Sequence, residues 1–314
     1  GEIMEDHLKR LYKLVDSFKV GSNWKTYVDA FVFGCKIRNL APRTLNVYAE
    51  RLGYLARHLE EKSIDIEDVT KRDIQNYLLE LIGNVSDETV NGRIRVYRRF
   101  FNYLEEEGIW EKPNPTYKIK MIKAEKRIKP VLSPEQIQSA LQTLNKRTYE
   151  GYRNLTMVML FWDAMIRKEE LITLKLPEID LRGGLIKVYG KGRKERQVPM
   201  GARMIKTLHF YLNRWRNGTS GELVFCQRNG KPITSRHCHK IIQEIGKKAK
   251  VNIYPHLIRH SAATYFIRQG GSPVILQKIL GHTSLVVTQN YLHMSNQDML
   301  DTYNQFSPSN AISV

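Results

Sequence analysis

Between residues 111 and 130 the chain carries Pro113, Pro115 and Pro130 among seven cations: Lys112, Lys118, Lys120, Lys123, Lys126, Arg127 and Lys129. Proline lacks the amide proton that a helix interior needs and clashes with the preceding turn, so no helix runs through this stretch. The patterns on its two sides differ. Residues 22–110 read as helical throughout, whereas the later part adds a pair of strands. A chain of 314 residues is long enough for two buried cores. The expected layout is an N-terminal helical extension (1–21), a helical domain (22–110), a basic linker (111–132), a second domain (133–293) and a tail (294–314). The expected fold class is mainly α with a small β-sheet.

Apolar residues recur at helical spacing in the first domain. Leu45, Tyr48, Leu52, Leu55 and Leu59 form one stripe, and Val90, Ile94, Tyr97, Phe101 and Leu104 another. Thr70 to Asp73 and Ser86 supply capped helix starts. Leu8, Leu11, Val15 and Phe18 give the extension an amphipathic face, expected to pack on the body. Opposite the last stripe stand Arg95, Arg98 and Arg99. On their own they read as a solvated helix face. The whole chain, however, has 50 Lys and Arg against 32 Asp and Glu, a net charge of +18. Such an excess points to a polyanionic partner, most simply double-stranded DNA. Arg95, Arg98 and Arg99, with Lys118, Lys120 and Lys123 of the linker, are therefore candidate phosphate contacts, a solvated tether being the plain alternative for the lysines.

The three cysteines, Cys35, Cys226 and Cys238, have no paired spacing and argue against a disulfide framework. Residues 1–13 are charged, and no run reaches the roughly 18 apolar residues of a membrane span. The expectation is a cytoplasmic, nucleoid-associated setting without membrane contact.

In the second domain, Ser133, Pro134 and Gln136 suit the N-cap, first turn and return bond of a capping box. Leu185 to Tyr189 and Arg196 to Pro199 flank Gly190-Lys191-Gly192, a β-hairpin with a basic tip. Six residues in this half form a chemical set: Arg167, Lys191, His256, Arg259, His282 and Tyr291. Arg167 falls at a helix start. His256 and Arg259 are at i and i+3, so both serve one end of a helix. His282 follows Leu280-Gly281, and Tyr291 comes nine residues later. Singly, each has an ordinary reading: a surface arginine, a basic turn, a half-buried tyrosine. Together they suit transfer of a phosphodiester. A phenolate can attack phosphorus and keep the bond energy in a phosphotyrosine, with neither ATP nor metal. The arginine forks and the histidines can hold the charge on the non-bridging oxygens. Lys191 is the candidate donor of a proton to the leaving 5′ oxygen, with Lys194 in reserve.

Residues of about 133 to 293 resemble the catalytic domain of the tyrosine recombinases, the phage-integrase family. The likeness rests on Arg167-Lys168-Glu169-Glu170-Leu171, Gly190-Lys191-Gly192, His256-Leu257-Ile258-Arg259-His260, Leu280-Gly281-His282 and Tyr291-Leu292-His293. Residues 22–109 resemble the family's helical, SAM-like core-binding domain. The resemblance implies two domains clamped around a recombination site, and a homotetramer that joins two duplexes and exchanges strands through a Holliday junction. It implies no cofactor and no metal. The tail, with Leu300, Tyr303 and Phe306, would dock on a neighbouring subunit, and accessory proteins or a partner recombinase are further candidate partners. No large additional N-terminal arm-binding domain is recognised, as in simple Xer-type or mobile-element enzymes. One departure stands out: Ala164-Met165 replaces the family's usual Thr-Gly ahead of the first arginine.

Three other readings stay open. A protein of the same fold with lost or regulated catalysis would only bind DNA. A type IB topoisomerase would use the same phosphotyrosine to relax DNA. A metal-dependent nuclease would use His237, Cys238, His239 and Cys226 as ligands. Alternating residues splay apart on a helix, however, and no paired ligand spacing appears.

Overall fold

A computed structural model describes residues 6–18, 23–124, 130–281 and 296–314. The chain divides into two compact units, residues 1–127 and 128–314. The first is helical: α1 (Asp6–Asp16), α2 (Trp24–Ile37), α3 (Pro42–Glu61), α4 (Lys71–Leu81) and α5 (Asp87–Glu106). Pro42 opens α3, where its missing N–H leaves no bond unmade. On α4 the Asp73 amide donates to Thr70 Oγ1 at 3.3 Å and the Thr70 amide to Asp73 Oδ2 at 2.8 Å. Ser86 caps α5 by accepting from the Thr89 amide at 3.1 Å. The faces so oriented bury Leu52, Leu55, Leu59, Ile94, Tyr97 and Phe100. Phe101 stands edge-on to Phe100 at 5.1 Å and to Trp110 at 5.2 Å between ring centroids. Helix α1 packs Leu11 and Val15 into the same core, against α3.

Residues 111–124 also fold onto this unit. Thr116 and Ile119 are buried. Asn91 donates Nδ2 to the Ile122 carbonyl at 2.9 Å and accepts from the Ile122 amide at 2.8 Å. The prolines end the helical run without freeing the chain that follows.

The second unit contains α6 (Pro134–Gln142), α7 (Tyr149–Ala164), α8 (Lys168–Ile172), β1 (Ile179–Asp180), β2 (Leu185–Tyr189), β3 (Glu195–Pro199), α9 (Ala202–Phe210), α10 (Ser235–Ala249), α11 (Pro255–Arg268), α12 (Pro273–Leu280) and a terminal helix, Asn296–Phe306. The capping box of Ser133 and Gln136 starts α6. Helix α7 has no polar face: 13 of its 16 residues are buried, so it runs through the core rather than over it. Helix α11 lies against it. The sheet is antiparallel in the order β1-β2-β3, with Leu185 opposite Pro199 and Tyr189 opposite Glu195. Ile186, Val188 and Val198 face the core, while the tip Lys191–Arg193 is exposed. The two-residue β1 is too short to show a period in sequence.

In this single chain the tail packs on its own unit. Met299, Tyr303 and Ile312 are buried. Ser307 and Ser309 donate their hydroxyls to Asp163 Oδ1, and the Gly201 amide donates to Asp163 Oδ2 at 2.7 Å. Burial pushes the Asp163 carboxyl above its ordinary range, while the hydroxyl and amide donors pull it down.

Candidate active site

Helix α7 ends at Met165, which takes the left-handed conformation with φ +54° and ψ +37°. That conformation normally favours glycine. Here a fully buried Met side chain anchors it. Ala164-Met165 therefore still makes the turn, and the turn aims the Met165 carbonyl at Arg259, whose Nη1 donates to it at 2.6 Å. Two residues on, Arg167 precedes α8, and its amide donates to Glu170 Oε1 at 2.7 Å. The exposed amide end of α8 is thus tied to a carboxylate.

Pro255 fills the first turn of α11, His256 follows as an exposed residue, and Arg259 lies one turn deeper. Arg259 is 5 % exposed and donates Nη2 to the Leu280 carbonyl at 2.9 Å, fixing the end of α12. Burial lowers its pKa to about 10, with the nearby Arg167 and Arg196 adding and Glu170 opposing. It stays protonated at neutral pH. Nη1 of Arg167 and Nη1 of Arg259 stand 3.9 and 4.0 Å from the two oxygens of Glu170. Two guanidinia more than ninety positions apart in sequence thus converge, one buried and rigid, the other with 41 % of its side chain exposed.

The hairpin begins at the same place. A Cβ on Gly190 would lie 3.8 Å from Arg167 Nη1, so the turn passes close beside the arginine. Lys191 and Lys194 follow, both exposed. Gly281 ends α12 in the left-handed conformation, with φ +71°. His282 and Tyr291, the remaining two of the six, lie outside the described residues. The structure thus brings Arg167, Arg259 and the base of the Lys191 hairpin together and puts His256 on the first turn of the helix that carries Arg259.

Sequence reading missed Arg196, which occupies β3 and reaches Glu170. Its partner is 26 residues away, and no local pattern signals it.

On the first unit Arg95 and Arg99 are exposed and Arg98 half-buried along α5, with the Arg99 guanidinium 5.7 Å from the Tyr48 ring centre. Lys118, Lys120 and Lys123 are exposed too. Lys118 and Lys120 join Arg72 around an apolar groove floored by Leu78, Val90 and Ile94, away from the Arg99 end of α5. Arg93, unread from sequence, stacks 4.4 Å over Tyr54 and donates to the Tyr77 hydroxyl at 2.7 Å.

Among the described residues no three His, Cys, Asp or Glu side chains gather in a set able to hold a metal ion. His237 is exposed while Cys238 points into the core, its thiol pushed up to about 12 by burial. Among the described residues no helix is long and apolar enough to cross a membrane.

Residues 130–298 match the Phage integrase family, and residues 35–108 match its N-terminal SAM-like domain. The chain belongs to the phage integrase family, the tyrosine recombinases. It is accordingly an enzyme of site-specific DNA cleavage and rejoining. Tyrosine recombinase XerD of Staphylococcus haemolyticus is 31% identical over 279 residues, covering 86% of this chain and 94% of the relative. XerD of Staphylococcus aureus strain N315 is 30% identical over 282 residues, with the same coverage. The Tn1549 transposon integrase, solved with circular intermediate DNA, superposes with a TM-score of 0.65 at 20% identity, over 87% of this chain and 97% of that one. XerH recombinase bound to palindromic difH substrate gives 0.64 at 22%, over 94% and 92%. At these identities the two structures establish the shared fold.

Proposed function

We propose that this enzyme recombines DNA at specific sites through a 3′-phosphotyrosine link to Tyr291, formed inside a tetramer on two duplexes. The observation that carries the reading is the convergence of Arg167 and Arg259 beside the base of the Lys191 hairpin. Two guanidinia offer planar N–H forks to the non-bridging oxygens of one phosphodiester. Tyr291 Oη attacks phosphorus, and the bond to the 5′ oxygen breaks. Lys191 gives that oxygen its proton. Arg167, Arg259, His256 and His282 stabilise the pentavalent charge. A 5′-hydroxyl from the partner duplex then attacks the phosphotyrosine, returns the phenol and makes a Holliday junction after the first pair of exchanges. A second pair resolves it.

Arg95, Arg98, Arg99, Lys118, Lys120 and Lys123 of the first unit follow backbone phosphates. Their share of the affinity falls as salt rises, through counterion release. Integration, excision and resolution of a mobile element or replicon dimer use the same chemistry. The arrangement of the DNA sites selects among them.

The test is covalent trapping. Purified protein is incubated with nicked suicide duplexes tiled across the DNA flanking its own gene and run on denaturing gels beside Tyr291→Phe. A tyrosine-dependent adduct is expected. An adduct that persists in Tyr291→Phe removes the nucleophile assignment. Binding without any adduct favours a DNA-binding protein over a strand-transfer enzyme.

A further inference from the structure

Glu170 poses an electrostatic problem. Its side chain is 2 % exposed, and it sits between the two arginines of the candidate phosphate cradle. A buried carboxylate demands a counter-charge. If Arg167 and Arg259 supplied it, their N–H groups would turn toward Glu170 and away from DNA. Neither hydrogen-bonds it: both stand at 3.9 to 4.0 Å, within ion-pair reach but beyond hydrogen-bonding distance.

Arg196 makes the close contact instead. Its Nη1 donates to Glu170 Oε2, and its Nη2 donates to Oε1 at 3.0 Å, forming a two-pronged fork. Its side chain is 13 % exposed, so the pair is poorly screened by solvent. The third donor, Nε, reaches the Ile279 carbonyl at 2.9 Å. Backbone is fitted around it: a Cβ on Gly281 would lie 3.0 Å from Arg196 Cδ and Nε. The arginine also comes from β3, the returning strand of the Lys191 hairpin. Three guanidinia around one carboxylate leave a formal surplus of two positive charges, which suits a phosphodiester gaining negative charge.

We propose that Arg196 is a positioning residue that neutralises Glu170, so that Arg167 and Arg259 remain available to the DNA phosphate. It does not touch the substrate. It rests on the reading of Arg167 and Arg259 as the phosphate cradle. Without Arg196 the carboxylate competes with the phosphate for the same two guanidinia. Removing the competing charge should then undo the damage.

The experiment is a charge-cancelling cycle on the full chain: Arg196→Met, Arg196→Lys, Glu170→Gln and the double variant Arg196→Met/Glu170→Gln. Glutamine keeps an oxygen for the Arg167 amide while losing the charge. The first readout is the dissociation constant for inorganic phosphate at fixed ionic strength, from the broadening of its phosphorus resonance, with Arg167→Ala marking loss of the site. The second is the rate of covalent adduct formation on the nicked duplexes at saturating protein. Arg196→Met should weaken phosphate binding and slow cleavage by roughly tenfold or more. Arg196→Lys, which keeps the charge and loses the fork, should fall between Arg196→Met and the unaltered protein. The double variant should return to within about threefold of Glu170→Gln. A purely structural role gives the opposite result, a double variant at least as impaired as Arg196→Met, and overturns the proposal. So does unaltered phosphate affinity in Arg196→Met, or in Arg167→Ala. If Arg196→Met does not fold, the double variant and Arg196→Lys decide alone, since neither leaves a buried charge unpaired. Phosphate binding that follows the cycle, with no adduct on any duplex, sinks the proposed Tyr291 phosphotyrosine step on these duplexes and leaves the role of Arg196 supported.

Discussion

Replacing Ser307 and Ser309 together by alanine strips the Asp163 carboxylate of both its hydroxyl donors and leaves it the backbone amides of Gly201 and residue 309. Asp163 is fully buried, so water does not take their place. A hydrogen bond to a charged group contributes about 1.5–3 kcal/mol, so the pair supplies about 3–6 kcal/mol while the carboxylate is ionised. Total stabilities of about 5–15 kcal/mol make that loss large. In a unit of this size it corresponds to a fall in Tm of about 6 °C or more. The pH dependence has a definite sign. Burial raises the folded pKa of Asp163 above the unfolded value of 3.8, so in the intact protein this group favours folding more as pH falls through the folded pKa. Removing two donors to the ionised form raises the folded pKa further. The penalty of the double substitution is then complete above the variant's folded pKa and shrinks as pH drops through it. Urea unfolding followed by tryptophan fluorescence at about pH 8 and about pH 5 measures both legs. A penalty under about 1 kcal/mol at the higher pH, or one that grows on acidification, refutes the reasoning.

Tyr303→Phe should leave stability unchanged or raise it by about 1 kcal/mol, because the buried hydroxyl has no hydrogen-bond partner among the described residues while its ring stacks on Phe266; a clear loss in thermal unfolding would show a hidden partner. Arg259→Lys should lose both stability and cleavage, since one ammonium cannot reproduce the paired donation to Met165 and Leu280 and still offer a fork to phosphate; a full cleavage rate in that variant would refute the argument from the fork. Lys191→Ala should slow cleavage by about 10²–10⁴-fold on ordinary DNA and be rescued by a 5′-bridging phosphorothioate, whose leaving group needs no proton; absence of rescue would transfer the general-acid role to another residue such as Lys194.

What the sequence reveals here is mostly short-range. Thr70 with Asp73, and Ser133 with Gln136, close their bonds within one turn, and the hairpin around Gly190 and Gly192 needs only neighbouring strands. Arg167, His256 and Arg259 were readable because each sits beside a local helix start. Arg196 was not, because its meaning lies in Glu170 and Ile279, 26 and 83 residues away. The knot of Asp163 with Ser307 and Ser309 spans 144 and 146 residues and joins three unremarkable polar residues. The close packing of residues 116–122 was hidden behind composition: prolines and lysines suggested a basic linker, while Asn91 and Ile122 hold part of it down.

The near-total burial of α7 divides the site into parts with different local opening free energies. Met165 and Arg259 are buried in the core of their unit, so parting the Met165–Arg259 contact requires opening that core. Lys191 rides on the exposed tip Lys191–Lys194, whose side chains are not packed into that core. The Arg259 side of the proposed phosphate cradle therefore stays in place, while Lys191, the proposed acid, sits where it can leave and return at little cost. Control of strand cleavage can then act on a few hairpin residues and leave the folded domain as it is.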